Sequence, residues 1–305
     1  MVSTPFALST STTELLMHCQ PIEKIGVRYA VTQLLPILWI AGDIAKRLQP
    51  AVIAAHRCGG GVPQKDGGRF TAALTDADVI IGTMVGAHIL TMFNDATFED
   101  EEWERDRISA YFPEKARYRI TLDPIDGTLY YLNNLPLFAV VVTILDEKTI
   151  VAAVVHLPIP GMFYIGIAGD GAFTTTSQYV RSGLNLWEPF KLCSDPPSAV
   201  LCFRHDETIR RALATAEFQP ISSQEYQEGE PWNYSAHSVL TGDACGVVQP
   251  NAPLRDWGAS GFIAGLAGGK TNDPFYDPMT LRTPLMIVGA SPKVYDQINK
   301  ALGIV

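Results

Sequence analysis

Basic charge is scarce in this chain: 23 Lys and Arg stand against 32 Asp and Glu, a net charge of −9. Affinity for a nucleic-acid backbone comes from clustered Lys and Arg, and no basic stripe is present, so a general nucleic-acid binder is excluded. Cysteine is also thin. The five residues Cys19, Cys58, Cys193, Cys202 and Cys245 are scattered with no Cys-x-x-Cys pair, which indicates neither a disulfide framework nor a zinc site and makes a reducing cytoplasm the expected compartment. The apolar run from Leu34 to Ala41 is too short to span a bilayer, and the N-terminus lacks the basic region, apolar core and small-residue cleavage site of a signal peptide, so a soluble protein without a membrane partner is expected. The glycines between Cys58 and Gly68 surround Lys65 but lack the Gly-Lys-Ser/Thr ending of a P-loop, and read as a hairpin or loop. Internal repeats and low-complexity segments are absent.

What remains is the composition of an ordinary globular protein, 47% hydrophobic and 18% charged over 305 residues, enough for one large or two medium domains. Apolar positions at helical spacing (Val31, Leu34, Leu35, Leu38, Ile44) predict one or two amphipathic helices between Gly26 and His56, interrupted near Pro36 or Pro50. A second helix is predicted from Asp78 to Met92, with Thr75 and Asp76 as N-cap candidates. Three runs rich in β-branched residues, Phe138 to Leu145, Val151 to Leu157 and Met162 to Ile167, read as an antiparallel meander closed by a turn at Gly169 to Phe173. After about Asn185 shorter strands alternate with helices, for example Ala199 to Phe203 and then Asp206 to Ala216, as in an α/β region.

The chemistry concentrates in Thr121-Leu122-Asp123-Pro124-Ile125-Asp126-Gly127-Thr128. Aspartate is a hard oxygen ligand suited to Mg²⁺, which is usually bound by one or two carboxylates together with substrate phosphates and water. Pro124 fixes one φ angle between the two acids, making the segment a rigid bend. Gly127 permits a positive φ or a close backbone approach, leaving the N–H groups of Gly127 and Thr128 free to face an anion. The same residue types also suit an ordinary strand-to-turn junction. Upstream lies an acidic run, Glu99 to Glu102 with Glu104 and Asp106, of a kind that is commonly a solvated face. Downstream, Asp256 precedes a run of small residues suited to a tightly packed helix start, where it is either a ligand or a plain N-cap.

In order along the chain, Leu74 to Asp78, Asp100-Glu101-Glu102, the Asp123 to Thr128 element, Gly169 to Phe173, and Asp256 followed by Gly268-Gly269 resemble the metal-dependent, lithium-sensitive phosphatases of the inositol monophosphatase superfamily. The resemblance covers roughly residues 28 to 295. It implies an α+β fold, a layered αβαβα sandwich of the inositol monophosphatase and fructose-1,6-bisphosphatase type. An N-terminal region (1–183) would carry most metal ligands, and a C-terminal region (184–305) would supply Asp256 and the substrate wall. It also implies two or three Mg²⁺ ions: Glu101, Asp123 and the Ile125 carbonyl for the first, and Asp123, Asp126 and Asp256 for the second. Asp78 would hydrogen-bond the Thr128 hydroxyl, Thr128 and Glu101 would orient and activate the attacking water, and the N–H groups of Gly127 and Thr128 would take phosphate oxygens. Such enzymes are often homodimers. No Cys or His nucleophile is required, so His156, His205 and His237 read as structural or surface residues.

The departures from the family pattern fall on the leaving-group side. Arg255 stands where Trp usually precedes the final metal aspartate, Leu129-Tyr130 replace Thr-Asn, Gln249 replaces a glutamate that faces substrate hydroxyls, and Glu230 to Ser235 replace an Arg-Ser-x-Gly-Ser segment. The implied activity is hydrolysis of a small polyol or sugar phosphate similar to inositol 1-phosphate. A 3′(2′),5′-bisphosphate nucleotidase, a fructose-1,6-bisphosphatase, a histidinol phosphatase and a catalytically idle binding module are the alternatives.

Overall fold

The computed structural model describes residues 20–60, 75–101, 108–202, 206–222, 225–227, 229–254, 258–272 and 282–304. Lys65, Glu102, Glu104, Asp106, His205, Arg255 and Asp256 lie outside the described residues.

A single turn, α1 (Ile22–Ile25), leads into the long helix α2 (Val27–Arg57). The expected interruption is not there: α2 runs through both Pro36 and Pro50. A proline inside a helix removes one backbone hydrogen bond and crowds the preceding turn. Tertiary packing offsets that cost here. Ala30, Val31, Leu34, Leu38, Ala41 and Ala45 form a fully buried stripe, and two side chains from elsewhere bond to the helix. His156 Nδ1 donates to the Leu38 carbonyl at 3.0 Å and the Tyr131 hydroxyl to the Ala45 carbonyl at 2.7 Å. Helix α3 (Asp76–Met92) starts with a capping box, in which the Thr75 side chain accepts from the Asp78 backbone N–H and the Asp78 carboxylate accepts from that of Thr75.

The strands β1 (Ala96–Asp100), β2 (Tyr118–Asp126), β3 (Ala139–Asp146), β4 (Thr149–Leu157), β5 (Met162–Ile167), β6 (Gly171–Thr176) and β7 (Glu188–Pro189) form a first sheet in sequential order. Its β3–β5 core is the expected antiparallel meander, and among the described residues of this sheet only β1 and β2 pair in parallel. Short helices α4 (Thr128–Leu132) and α5 (Ser177–Arg181) follow β2 and β6. The second sheet contains β8 (Ala199–Cys202), β9 (Gln219–Ser222), β10 (Gly246–Pro253), β11 (Lys270–Thr271) and β12 (Arg282–Gly289), in the order β11-β12-β10-β8-β9. Its helices are α6 (Glu207–Thr215), α7 (Ser238–Thr241), α8 (Ala259–Leu266) and α9 (Pro292–Ala301).

Side-chain alternation assigns the layers. On β3, Val140, Val142 and Ile144 join the core shared with α2 and α3, while Ala139, Val141 and Leu145 point to the opposite face. That opposite face packs with Ala259, Ile263 and Ala264 of α8 and with Leu201 and Val247 of the second sheet. Beyond the second sheet, Val200, Val248 and Ile287 pack on Leu213 of α6 and Ile298 of α9. The result is the expected αβαβα sandwich of two sheets. Among the described residues no helix is long and apolar enough to cross a membrane.

Candidate active site

The two aspartates of the central octet lie three positions apart, and in a regular strand residues at that separation point to opposite faces. The pairing with β3 shows how this is avoided. Asp123 lies opposite Val141 and Asp126 opposite Ala139, so Pro124 and Ile125 share a single partner position in a β-bulge. Val141 and Ala139 both face the central layer, which puts Asp123 and Asp126 on that face as well. Proline in a sheet interior is tolerated at such bulges, where no ladder donor is needed. The rigid bend expected from Asp-Pro-Ile-Asp is this bulge.

Glu101 reaches the same face by a different route. The parallel register pairs Asp100 with Leu122, and the Glu101 N–H continues it by donating to the Leu122 carbonyl at 3.0 Å. Advancing one step sets Glu101 beside Asp123. Asp100, on the other parity, is fully buried against α3, where the Gly82 backbone comes so close that a Cβ would overlap the Asp100 carboxylate.

Asp123 is only 2% exposed, and its Oδ1 accepts the Ile125 N–H at 3.1 Å. Gly127 adopts φ 88°, which favours glycine, and a Cβ there would stand a tight 3.0 Å from the Leu137 carbonyl oxygen. The Thr128 hydroxyl donates to the Ile125 carbonyl at 2.9 Å, in place of the bond to Asp78 that the resemblance implies. Asp78 is held by its cap, its Oδ2 accepting from the Thr75 N–H at 2.8 Å and from the Thr75 hydroxyl at 2.7 Å.

Asp126 has a neighbour that the sequence did not signal. His237, fully buried in the turn before α7, places Nε2 2.8 Å from Asp126 Oδ2, and its Nδ1 lies 2.7 Å from the hydroxyl of Ser260 in the first turn of α8. A lone histidine more than a hundred residues from the aspartate has no spacing that would reveal this contact. Among the described residues no three His, Cys, Asp or Glu side chains stand close enough to hold a metal ion; Asp256, the remaining expected ligand, is not among them.

Tyr130, which feels the Asp126 charge, begins a chain of aromatic rings. Tyr130 meets Tyr226 edge-on at 5.6 Å, Tyr226 meets Trp232 at 5.9 Å, and Trp232 meets Tyr234 at 5.7 Å. The Trp232 indole N–H donates to the Tyr234 carbonyl at 2.7 Å, and the Tyr130 hydroxyl is buried. Burial pushes the Tyr130 phenol well above its usual range; the Trp232 side chain opposes this by hydrogen bonding, and the Asp126 charge adds to it. Gln249 is also buried. Alternation from Val247 along β10 points it into the central layer; its Nε2 donates to the Pro250 carbonyl at 3.2 Å, and its Oε1 has no partner among the described residues.

A family model described as the inositol monophosphatase family matches residues 41–304. The inositol-1-monophosphatase of Mesorhizobium japonicum is 38% identical over 60 residues, which cover 20% of this chain and 23% of that protein. The histidinol-phosphatase of Chlorobaculum parvum is 30% identical over 100 residues, 28% of this chain and 39% of that protein. These matches span well under two thirds of either relative. Among solved structures, the extragenic suppressor protein suhB from Bartonella henselae is similar with a TM-score of 0.65 at 19% identity, covering 89% of this chain and 97% of that chain, a likeness of fold.

Proposed function

The chain belongs to the inositol monophosphatase family, and from that membership we propose that it is a Mg²⁺-dependent phosphomonoesterase acting on a small phosphorylated metabolite. The observation that carries the proposal is the bulge at Pro124-Ile125, which turns Asp123 and Asp126 to one face of the sheet. The site meets the chemistry of the ion on its own terms: the bulge turns two carboxylates to one face, and carboxylate oxygens suit Mg²⁺. Glu101, Asp123, the Ile125 carbonyl, Asp126 and Asp256 are the groups that would hold two or three ions.

When bound, the ions supply a lowered water pKa and neutralise charge on the transferring phosphoryl group. The protein residues supply position. The Ile125 N–H orients Asp123. The bond from Thr128 to the Ile125 carbonyl holds that hydroxyl beside the bulge, where it and Glu101 would orient a water for attack. The left-handed Gly127 turns the chain into α4 immediately after the acids, where its own N–H and that of Thr128 would take phosphate oxygens. Phosphoryl transfer asks for little more than such positioning and charge neutralisation.

For the leaving group, inositol 1-phosphate is the family's default, with Gln249 and Arg255 as the contacts that would differ. The Tyr130–Tyr226–Trp232–Tyr234 cluster, whose first ring feels the Asp126 charge, favours a second reading, a leaving group that carries a ring with an apolar face, as histidinol phosphate does. A phosphate-release panel in Mg²⁺ over inositol 1-phosphate, histidinol phosphate, fructose 1,6-bisphosphate and adenosine 3′,5′-bisphosphate separates these substrates. Turnover of none of them would put the idle binding module first. Asp123→Asn is expected to abolish Mg²⁺-dependent release while leaving the circular dichroism unchanged. Retention of more than about a tenth of the rate, roughly 1.4 kcal/mol of barrier, would contradict a ligand shared between two ions.

A further inference from the structure

His237 Nε2 is buried and has no hydrogen-bond partner among the described residues, although Asp126 Oδ2 is only 2.8 Å away. The carboxylate oxygen therefore lies beside the N–H direction and not along it. A ring nitrogen and a carboxylate oxygen at that separation each present lone-pair density, and their contact is favourable only with a hydrogen or a cation between them. The geometry disfavours the hydrogen. Two ligands at adjacent corners of an octahedral ion, each about 2.0–2.1 Å from it, stand about 2.8–3.0 Å apart, which is the separation found here.

We propose that His237 Nε2 is itself a ligand of the ion held by Asp126, so that this position is a mixed oxygen and nitrogen site; the proposal rests on the reading of Asp126 as metal-bound. The other ring nitrogen supports it. Histidines that bind metals commonly donate their second ring N–H to a fixed acceptor, which sets tautomer and ring orientation. His237 Nδ1 has such a partner in the buried hydroxyl of Ser260, at 2.7 Å. Assigning the hydrogen to Nδ1 leaves the Nε2 lone pair facing Asp126. His156, by contrast, has both ring nitrogens engaged, with Leu38 and Ser177.

An imidazole ligand changes which ion the site prefers. Carboxylate, carbonyl and water suit Mg²⁺, whereas a nitrogen donor raises affinity along the first-row divalent series. The pair at Asp126 and His237 is therefore expected to bind Mn²⁺ more tightly than an all-oxygen site would, with a smaller gain for Mg²⁺.

The test is electron spin-echo envelope modulation of the full-length protein loaded with Mn²⁺, alongside calorimetric titration with Mn²⁺ and with Mg²⁺. The wild-type protein is expected to show the ¹⁴N coupling of a directly bound imidazole. His237→Gln is expected to lose that coupling, with Mn²⁺ affinity falling at least tenfold and Mg²⁺ affinity falling less. Bound Mn²⁺ without ¹⁴N coupling in the wild type, or coupling that persists in His237→Gln, overturns the proposal while leaving the phosphatase reading standing. Failure of the wild type to bind Mn²⁺ or Mg²⁺ overturns both. The wild-type spectrum decides even where the variant does not fold.

Discussion

His156 is completely buried, stacked flat on Phe163 with 3.9 Å between ring centres, and packed so closely under α2 that a Cβ on Gly42 would overlap its ring. Burial, the largest influence, lowers its pKa from 6.5 to about 3. Between those two values the unfolded chain binds the proton and the folded chain does not, so stability rises with pH across the window. The contribution is complete above pH 6.5 and drains away as the pH falls toward about 3, at no more than about 1.4 kcal/mol per pH unit for one group. Urea unfolding at several pH values should show this slope in the wild type and a shallower one in His156→Gln; equal slopes would mean that the ring is protonated in the fold. At this scale the sequence was only partly legible. Lone histidines carry no spacing signal, so His156 and His237 read alike as structural or surface residues, although one ties a helix to a strand and the other touches the acid at the centre of the site. The bend at Asp123 to Asp126 was readable because Pro124 fixes one backbone angle and Gly127 permits the positive φ that follows, local effects that sequence records.

The segment from β2 into α4 is the element on which the site depends. Gly127 holds it in a left-handed conformation that costs an L-residue about 1–2 kcal/mol, and the 3.0 Å approach to the Leu137 carbonyl adds crowding. Gly127→Ala should therefore lose at least that much stability in urea unfolding. Mg²⁺ affinity should fall with it, because the strain sits one residue after Asp126. A variant of wild-type stability would show that the turn relaxes without cost. The β-branched alternation that made β3, β4 and β5 legible is a property of each strand alone. The bulge is a property of two strands, since only the pairing with β3 reveals that Pro124 and Ile125 share one partner, and so the common facing of the two acids could not be read in advance. Helix α2 misled for the converse reason: its prolines signal local breaks, and the buried stripe that overrides them acts through tertiary packing.

At the scale of the whole molecule, the site joins parts that fold from distant stretches of chain. Asp126 comes from the first sheet, His237 from the turn before α7, and Ser260 from α8, which packs in the central layer between the two sheets. The layer order was legible through resemblance to a family and not through periodicity, which finds strands and helices without stating how sheets stack. An ion held by Asp123 and Asp126 would link the first sheet to the element carrying His237, a connection that exists only in the folded protein. A ligand that binds the native state alone stabilises it by about 2.7 kcal/mol at a hundred times its Kd. Thermal unfolding in excess Mg²⁺ or Mn²⁺ should accordingly raise the Tm of the wild type by several degrees over unfolding in chelator, whether or not a substrate has been identified. Asp123→Asn should lose most of that rise while keeping the Tm it has in chelator. An equal rise in both proteins would place the stabilising ion elsewhere than the bulge.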